Sequence, residues 1–480
     1  MSQAIRSLKG KPQTPSTYIK VQGPRVVQYW ESEATRPKSF QGASDEGQSI
    51  LSQCSKSQLQ HILHHPFRSP EEIRREQWER VRELVTLAYR DIPVYREKYQ
   101  SVGFSPDMLQ SWQDFEALPV ITKEELLAAF PEGCVNPRWS VDELFSTRSF
   151  GTSGKTLHIK VDMEAIIKDT LQGVRQFWMQ SGLKHRASHR TAMIYTVPWW
   201  FDTVGDDFPS VFISGLIPAA QIIDILNDLK PEVISCYPTT LKSLLPYVAQ
   251  WDRSQLYVAV VHSEGSTPKE RQQWAQILGV PVLDEYSSEE ATRIALELPC
   301  GHYHVCDDAV YLEVLEANSL HPVPDGQWGR AVVTNLLNEA MPFIRYVQGD
   351  YVRRPEKPEP CLIGWSQLAS LEGRMNDSFI NKEGRIVPAG SVLDIVYRWM
   401  HDGGLYLEDF EMIQKACDRI DVILRPLKQT SVEKIRSSRE HLQDLLQTSL
   451  GHPVQVSITV PEVFPRQPGK RRLIKRAFAL

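Results

Sequence analysis

The sequence predicts an α/β protein, with a large N-terminal α/β body containing β-sheet subdomains and a small α+β domain at the C-terminus. Three observations carry this reading. Between about residues 190 and 290, strand-like runs alternate with amphipathic helical runs, the pattern of a largely parallel sheet covered by helices. After about residue 375 the order changes to strand, strand, helix and strand, which makes a separate unit of roughly 100 residues. A length of 480 residues allows two to four domains around large cores.

Composition narrows the classes. Hydrophobic residues make up 41% and charged residues 24%, so the chain can bury enough apolar surface to fold. Lys plus Arg total 54 against 59 Asp plus Glu, a net charge of 54 − 59 = −5, too balanced for a general nucleic-acid or membrane-surface binder. Seven cysteines, an odd number spread along the chain, suit reduced thiols in a cytoplasmic protein rather than a disulfide framework. No apolar run of 18 residues occurs, and none follows the basic residues of the first twelve, so neither membrane spanning nor secretion is expected.

Taken in order, residues 2 to about 60 are polar and rich in Ser, Gln and Lys, an extended arm assigned to 1–65. Ser69-Pro70-Glu71-Glu72 then offers a helix start: a Ser cap, Pro at the first helical position and Glu three residues after the Ser. Trp78, Val81, Val85 and Ala88 follow at helical spacing and should bury one stripe. The alternating region reads Ala192–Val197, Ile222–Leu229, Val233–Tyr237, Leu241–Ala249, Leu256–Val261, Lys269–Leu278 and Val280–Tyr286, with further strands at Ala309–Leu315 and Ala331–Leu336. The C-terminal unit reads as strands Phe410–Ile413 and Ile420–Leu424, a helix over Val432–Leu450 and a strand Val454–Val460. In a parallel sheet of this kind, ligands sit at the carboxyl ends of the strands.

The stretch from Ser146 to Thr156, Ser-Thr-Arg-Ser-Phe-Gly-Thr-Ser-Gly-Lys-Thr, has the chemistry of an anion-binding loop, with glycines for tight wrapping and hydroxyls and a lysine as donors. It is not a Walker A loop, because Ser149 stands where that motif requires Gly. The loop resembles the phosphate loop of the adenylate-forming acid ligases, the superfamily of acyl-CoA synthetases and nonribosomal adenylation domains. Later motifs occur in that family's order. Ala88 to Arg96 and Leu118 to Lys123 are similar to the N-terminal signature of the phenylacetate-CoA ligase branch and its CapK-like relatives from capsular polysaccharide clusters. The resemblance covers roughly residues 66 to 480. It implies a body at 66–374 and a mobile lid at 375–480.

By that resemblance, Ser149, Gly151, Thr152, Ser153, Gly154 and Lys155 would cradle phosphate, and Ser263-Glu264 matches a pair after a strand, with Glu264 near the nucleotide. Tyr286 to Glu290 corresponds to the family's Tyr-Gly-x-Thr-Glu. Tyr286 would stack near adenine, and Glu290 would hold Mg²⁺. Ser287 replaces the Gly and Glu289 the Thr that meets the α-phosphate, leaving Ser288 as the nearest substitute. Pro342 to Asp350 closely matches Pro-x-Ile-Arg-Tyr-x-x-Gly-Asp, and a carboxylate at Asp350 can accept bonds from both ribose hydroxyls. Glu372 to Asp377 resembles the hinge, with Arg374 reaching ribose or phosphate and Asn376 in place of an Asp. Phe464 to Arg472 resembles the C-terminal lysine loop and marks Lys470 as the adenylation lysine. Catalytic duty thus falls on Lys470, Glu290 and Arg374.

Trp199, Trp200 and Tyr237 are candidates for the acid pocket, against an ordinary core role. Cys300 to Cys306, if a strand, puts Cys300, His302, His304 and Cys306 on one face with its ends about 20 Å apart, too far for one ion, though neighbours two apart could share one. Some relatives join this run to a later Cys-x-Cys-Gly, which here reads Cys361-Leu362-Ile363-Gly364. Cys300, His304 and Cys361 are therefore three candidate ligands where a structural zinc wants four, which favours ordinary buried or partly exposed side chains over a metal site.

The implied chemistry is ATP- and Mg²⁺-dependent activation of a carboxylic acid to an acyl-adenylate, followed by transfer to a thiol, coenzyme A first, with the acid left open and an aromatic acid one candidate. An amine, sugar amine or carrier protein as acceptor, and a catalytically reduced nucleotide-binding homologue, stay open, as does a homodimer. No nucleic-acid or membrane partner is expected.

Overall fold

The computed structural model describes residues 56–150, 156–195, 207–215, 217–316, 321–374, 379–384, 386–387, 389–405, 407–426, 430–461 and 473–478. The end of the polar arm already carries structure: helix α1 (Lys56–His64) reaches into it, and Ile62 is buried. Four helices follow: α2 (Pro70–Asp91), α3 (Pro93–Gln100), α4 (Trp112–Glu116) and α5 (Lys123–Ala129). Capping boxes start α2, α4 and α5, with Ser69/Glu72, Ser111/Asp114 and Thr122/Glu125 exchanging bonds that satisfy the first amides. Ile73, Val81, Leu84, Val85 and Ala88 form the buried stripe of α2, while Trp78 packs at its edge.

Next comes a hairpin of β1 (Phe145–Phe150) and β2 (Thr156–Val161), then α6 (Met163–Gln180), capped by Asp162, which accepts from the Ala165 amide at 2.9 Å. The alternating region is β3 (Thr191–Tyr195), β4 (Ser210–Ser214), α7 (Ala219–Leu229), β5 (Val233–Cys236), α8 (Pro238–Leu244), β6 (Val258–His262), α9 (Pro268–Leu278) and β7 (Val282–Ser288). Beyond it run β8 (Thr292–Glu297), β9 (Tyr303–Val305), β10 (Val310–Leu315), β11 (Trp328–Asn335), β12 (Tyr346–Arg353), β13 (Gln367–Leu368) and β14 (Ser370–Arg374). The main sheet has eight strands in the order β13-β9-β8-β7-β6-β5-β3-β4. Pairing is parallel from β7 to β4, as the alternation predicts, and antiparallel from β7 through β8 and β9 to β13. A second, antiparallel sheet has the order β10-β11-β12-β14.

The two faces of the parallel half are covered differently. Ala192, Ile194, Ile234, Cys236, Ala259 and Val261 pack against α7, α8 and α9 in one apolar core. Met193, Val260 and Leu283, the alternate residues, face α6 through Phe177.

The C-terminal part contains β15 (Phe379–Ile380), β16 (Ile386–Val387), α10 (Ala389–Asp402), β17 (Leu407–Ala416), β18 (Arg419–Pro426), α11 (Val432–Ser437), α12 (Arg439–Leu450), β19 (Gln455–Thr459) and β20 (Ile474–Arg476). Its four-stranded sheet runs β19-β18-β17-β20. A hydrophobic core of its own joins Phe379, Trp399, Met412, Val422, Leu442 and Ile474. The stretch expected as one helix over Val432–Leu450 is two, broken at Ser438, whose carbonyl accepts from the buried Trp399 indole at 2.9 Å. Helix α10 and strand β20 have no counterpart in the sequence reading.

Candidate active site

Three motif positions on β12 meet three on β7 and the turn after it. The Tyr286 hydroxyl donates to Asp350 Oδ2 at 2.9 Å, the Gln348 amide to Ser288 Oγ at 2.9 Å, and the Tyr346 hydroxyl to Glu290 Oε1 at 3.1 Å. The three contacts run in antiparallel order, 286 with 350, 288 with 348 and 290 with 346, along a stretch of β12 where the register with β11 shifts and Gly349 takes a φ of 84°. The Asn335 amide also holds the Glu290 carbonyl at 2.9 Å, and the Thr147 hydroxyl of the hairpin donates to Glu289 at 2.5 Å. Asp350 stands opposite Arg374 in the β12–β14 register.

The N-terminal signature explains itself as scaffolding for this ladder. Buried Tyr95 donates to the Pro342 carbonyl and accepts from the Ile344 amide, both at 2.9 Å. The Ile121 amide bonds the Arg345 carbonyl, and the Val347 amide returns to the Ile121 carbonyl, each at 3.0 Å. Arg345 itself, despite its place in the motif, is buried against Glu313 at 2.7 Å and serves the fold.

A second cluster lies at the carboxyl ends of the parallel strands. His262 is paired with Glu285 in register, and one residue beyond the Ile194–Cys236–Val261 line come Tyr195, Tyr237 and His262. The three rings converge, with centroid separations of 4.6 Å for Tyr195–His262, 5.4 Å for Tyr237–His262 and 5.8 Å for Tyr195–Tyr237. The Tyr195 hydroxyl shares a 3.0 Å bond with the buried Ser235 hydroxyl. From α6, Gln176 donates to Glu285 Oε2 at 2.7 Å and accepts from Arg293 Nε at 2.6 Å. Arg293 is ion-paired with buried Asp169. Gly173 makes room for this guanidinium, since a Cβ there would lie 2.8 Å from Arg293 Nη2, which accounts for a glycine in mid-helix. Burial, followed by the charge of Glu285, holds the Tyr195 hydroxyl well above the ordinary tyrosine range.

Of the expected nucleotide residues, Tyr286, Ser288, Glu290 and Asp350 are brought together. Glu264 accepts from the Thr239 amide and hydroxyl, each at 3.0 Å, at the start of α8. Gly151, Thr152, Ser153, Gly154, Lys155, Trp199, Trp200 and Lys470, and the side chains of Ser149 and Arg374, lie outside the described residues. Tyr237 joins the ring cluster. Tyr195, Ser235, His262, Glu285 and Gln176 were missed by sequence reasoning. The available signal was α6, where Asp169, Gln172, Gln176 and Gln180 recur at helical spacing and are all buried.

Cys300, His304 and Cys361 also meet, with ligand atoms within 4.8 Å of one another. The period-two expectation for 300–306 is corrected here. Only Tyr303–Val305 is strand, and a turn through Gly301 at φ 85° folds Cys300 back, so that its Sγ lies 3.5 Å from His304 Nε2. Cys361 arrives on the segment leading to β13, which pairs with β9. Burial lowers the His304 imidazole to about 4, keeping it neutral as a ligand must be. Bonds of roughly 2.3 Å to sulfur and 2.1 Å to nitrogen at a tetrahedral ion place those atoms about 3.6 Å apart, so the residues fit three corners of a zinc site. The cluster sits at the opposite end of β8 from Glu290, roughly 20 Å away along six residues of strand.

No helix among the described residues is long and apolar enough to cross a membrane. No family model matches the chain. In sequence it is similar to the phenylacetate-coenzyme A ligase of Thermus thermophilus, 25% identical over 331 residues that cover 66% of this chain and 74% of that protein. The Aromatoleum evansii phenylacetate-coenzyme A ligase is 25% identical over 336 residues, 67% of this chain and 74% of the relative. In structure, 2-hydroxyisobutyryl-CoA ligase in its postadenylation state with 2-HIB-AMP superposes with a TM-score of 0.71 at 20% identity, covering 86% of this chain and 91% of that one. The amide bond synthetase McbA from Marinactinospora thermotolerans has a TM-score of 0.51 at 15% identity over 68% and 67%. In motif order and in sequence the chain is similar to the phenylacetate-coenzyme A ligases, and it shares the fold of adenylate-forming enzymes.

Proposed function

We propose that the protein is an ATP-dependent ligase that activates a carboxylic acid as its acyl-adenylate and passes the acyl group to coenzyme A. The observation that carries this reading is the Tyr286–Asp350 bond within the three-rung ladder, because it sets an aromatic ring and a ribose-binding carboxylate side by side at the carboxyl end of a parallel sheet. The acid's carboxylate attacks the α-phosphorus of ATP, and pyrophosphate leaves. The thiol of coenzyme A then attacks the acyl carbon, and AMP leaves. Catalysis in such displacements is mostly positioning and charge neutralisation.

Asp350 would hold the ribose hydroxyls, Tyr286 would lie against adenine, and Ser288 would stand beside the α-phosphate. Arg374 would reach ribose or phosphate from the strand paired with Asp350. Glu290 would hold a Mg²⁺ that arrives with the nucleotide, an ion that needs only one or two carboxylates beside phosphate oxygens. When bound, that ion would neutralise charge on the phosphates. The loop at 149–155 would wrap the phosphates. The unit 375–480 would act as a lid that brings Lys470 to the reacting groups and then withdraws. At the far end of β8, Cys300, His304 and Cys361 would hold a structural zinc that ties the 361 segment to β9, with no part in the chemistry.

Pyrophosphate release with ATP, Mg²⁺ and a panel of carboxylic acids tests the reading. Turnover is expected for at least one acid, and Lys470→Ala should reduce it roughly 100- to 1,000-fold, the size of a lost charge-stabilising donor. Asp350→Ala should raise the KM for ATP more than it changes the KM for the acid. An enzyme that releases no pyrophosphate with any acid, while ATP still raises its Tm, would instead be a nucleotide-binding homologue.

A further inference from the structure

We infer that the acid taken by this site is a planar, ring-bearing acid that carries a hydrogen-bond donor, an amino or hydroxyl group, directed at Glu285. The inference rests on the proposed acid activation and names its substrate class. Tyr195, Tyr237 and His262 pack on one another with centroids 4.6 to 5.8 Å apart, and the partly exposed Tyr195 and Tyr237 leave aromatic surface at the strand ends against which a flat ring can stack. Glu285 is paired with His262 in the same row. An ionised carboxylate only accepts, so what it asks of a ligand is a donor.

The carboxylates of the molecule are held in two ways: Asp169, Asp308 and Glu313 are each ion-paired with an arginine, whereas buried Asp162 and Asp307 accept from neutral amides, two donors each. Glu285 is half-buried, and among the described residues its hydrogen-bond donor is the neutral amide of Gln176. The nearby Arg293 spends its bonds on Asp169 and Gln176. An acyl group without a donor would strip water from Glu285 and return nothing, whereas a ring amine or hydroxyl replaces that water. Sites of this kind reject the analogue lacking the polar group far more strongly than apolar pockets discriminate size.

The test compares matched acids, benzoate and phenylacetate against their amino- and hydroxy-substituted counterparts, by kcat/KM for pyrophosphate release and by calorimetric binding. The donor-bearing acids should be favoured roughly 100-fold or more in the wild type. Glu285→Leu should collapse that ratio to a few-fold, and Glu285→Gln, which keeps shape and an acceptor, should retain an intermediate ratio with the hydroxy acids. Equal use of parent and substituted acids by the wild type, or a ratio unchanged in Glu285→Leu, overturns the inference and leaves the ligase reading intact. Preferential binding of the donor-bearing acids without pyrophosphate release upholds the inference and overturns the ligase reading. Absence of both binding and release overturns both.

Discussion

The two faces of the parallel sheet are made by the same strands and do opposite things. On the side of α7, α8 and α9, Ala192, Ile194, Ile234, Cys236, Ala259 and Val261 join an apolar core, and the buried charges on that side, Arg271 of α9 and Asp284 of β7, are paired with each other at 3.9 Å. On the side of α6, alternate positions carry Tyr195, Ser235, His262 and Glu285, and the helix opposite presents Asp169, Gln172, Gln176 and Gln180, all buried. Buried polar groups are costly unless bonded, so a face that concentrates them at strand ends is built for something other than stability. The apolar face holds the sheet while the α6 face positions side chains.

The largest test of that division is Arg293→Met. It strands Asp169, which is buried beneath the sheet, and should cost roughly 3–5 kcal/mol in urea unfolding, with acid turnover falling as Gln176 and Glu285 lose their anchor. On the opposite face, Ile234→Ala should cost roughly 3 kcal/mol by leaving a cavity, yet kcat/KM per folded molecule should stay within about twofold of wild type. A hundredfold loss of turnover in fully folded Ile234→Ala would break the comparison.

A smaller effect sharpens it at the end of α6, where His185 packs against Phe177 and Phe208. Burial, reinforced by His189 and Arg186, lowers this imidazole from 6.5 to about 4. The unfolded chain therefore binds the proton first, and the native state loses stability as pH falls from about 6.5 to about 4. His185→Phe keeps a ring there without a titrating nitrogen. Its stability relative to wild type should rise by at most about 3 kcal/mol across that acid interval and stay flat above pH 7, read from denaturant midpoints at each pH.

Much was legible without coordinates where the signal was local. The α2 start was readable because Ser69, Pro70 and Glu72 act within one turn. The parallel strands were readable because fully buried strands are short apolar runs. The motifs around Tyr286, Asp350 and Lys470 carried the family resemblance because each keeps its chemistry in a few consecutive residues. Strand β4, helix α6 and helix α10 were not read, since α6 buries glutamines and an arginine that look solvent-facing in a linear pattern.

Chain order and local chemistry determined the fold class, the sequence of motifs and the cysteines worth watching. Which strands pair, and hence which side chains meet, was decided by the tertiary structure. Residues 286 and 350 are far apart in sequence and touch only because β12 lies antiparallel across the end of β7. Likewise Gln176 meets Glu285, and Cys300 meets Cys361, across segments that periodicity treats as unrelated. Long-range contacts depend on register and crossover, and neither leaves a mark on any single stretch of sequence.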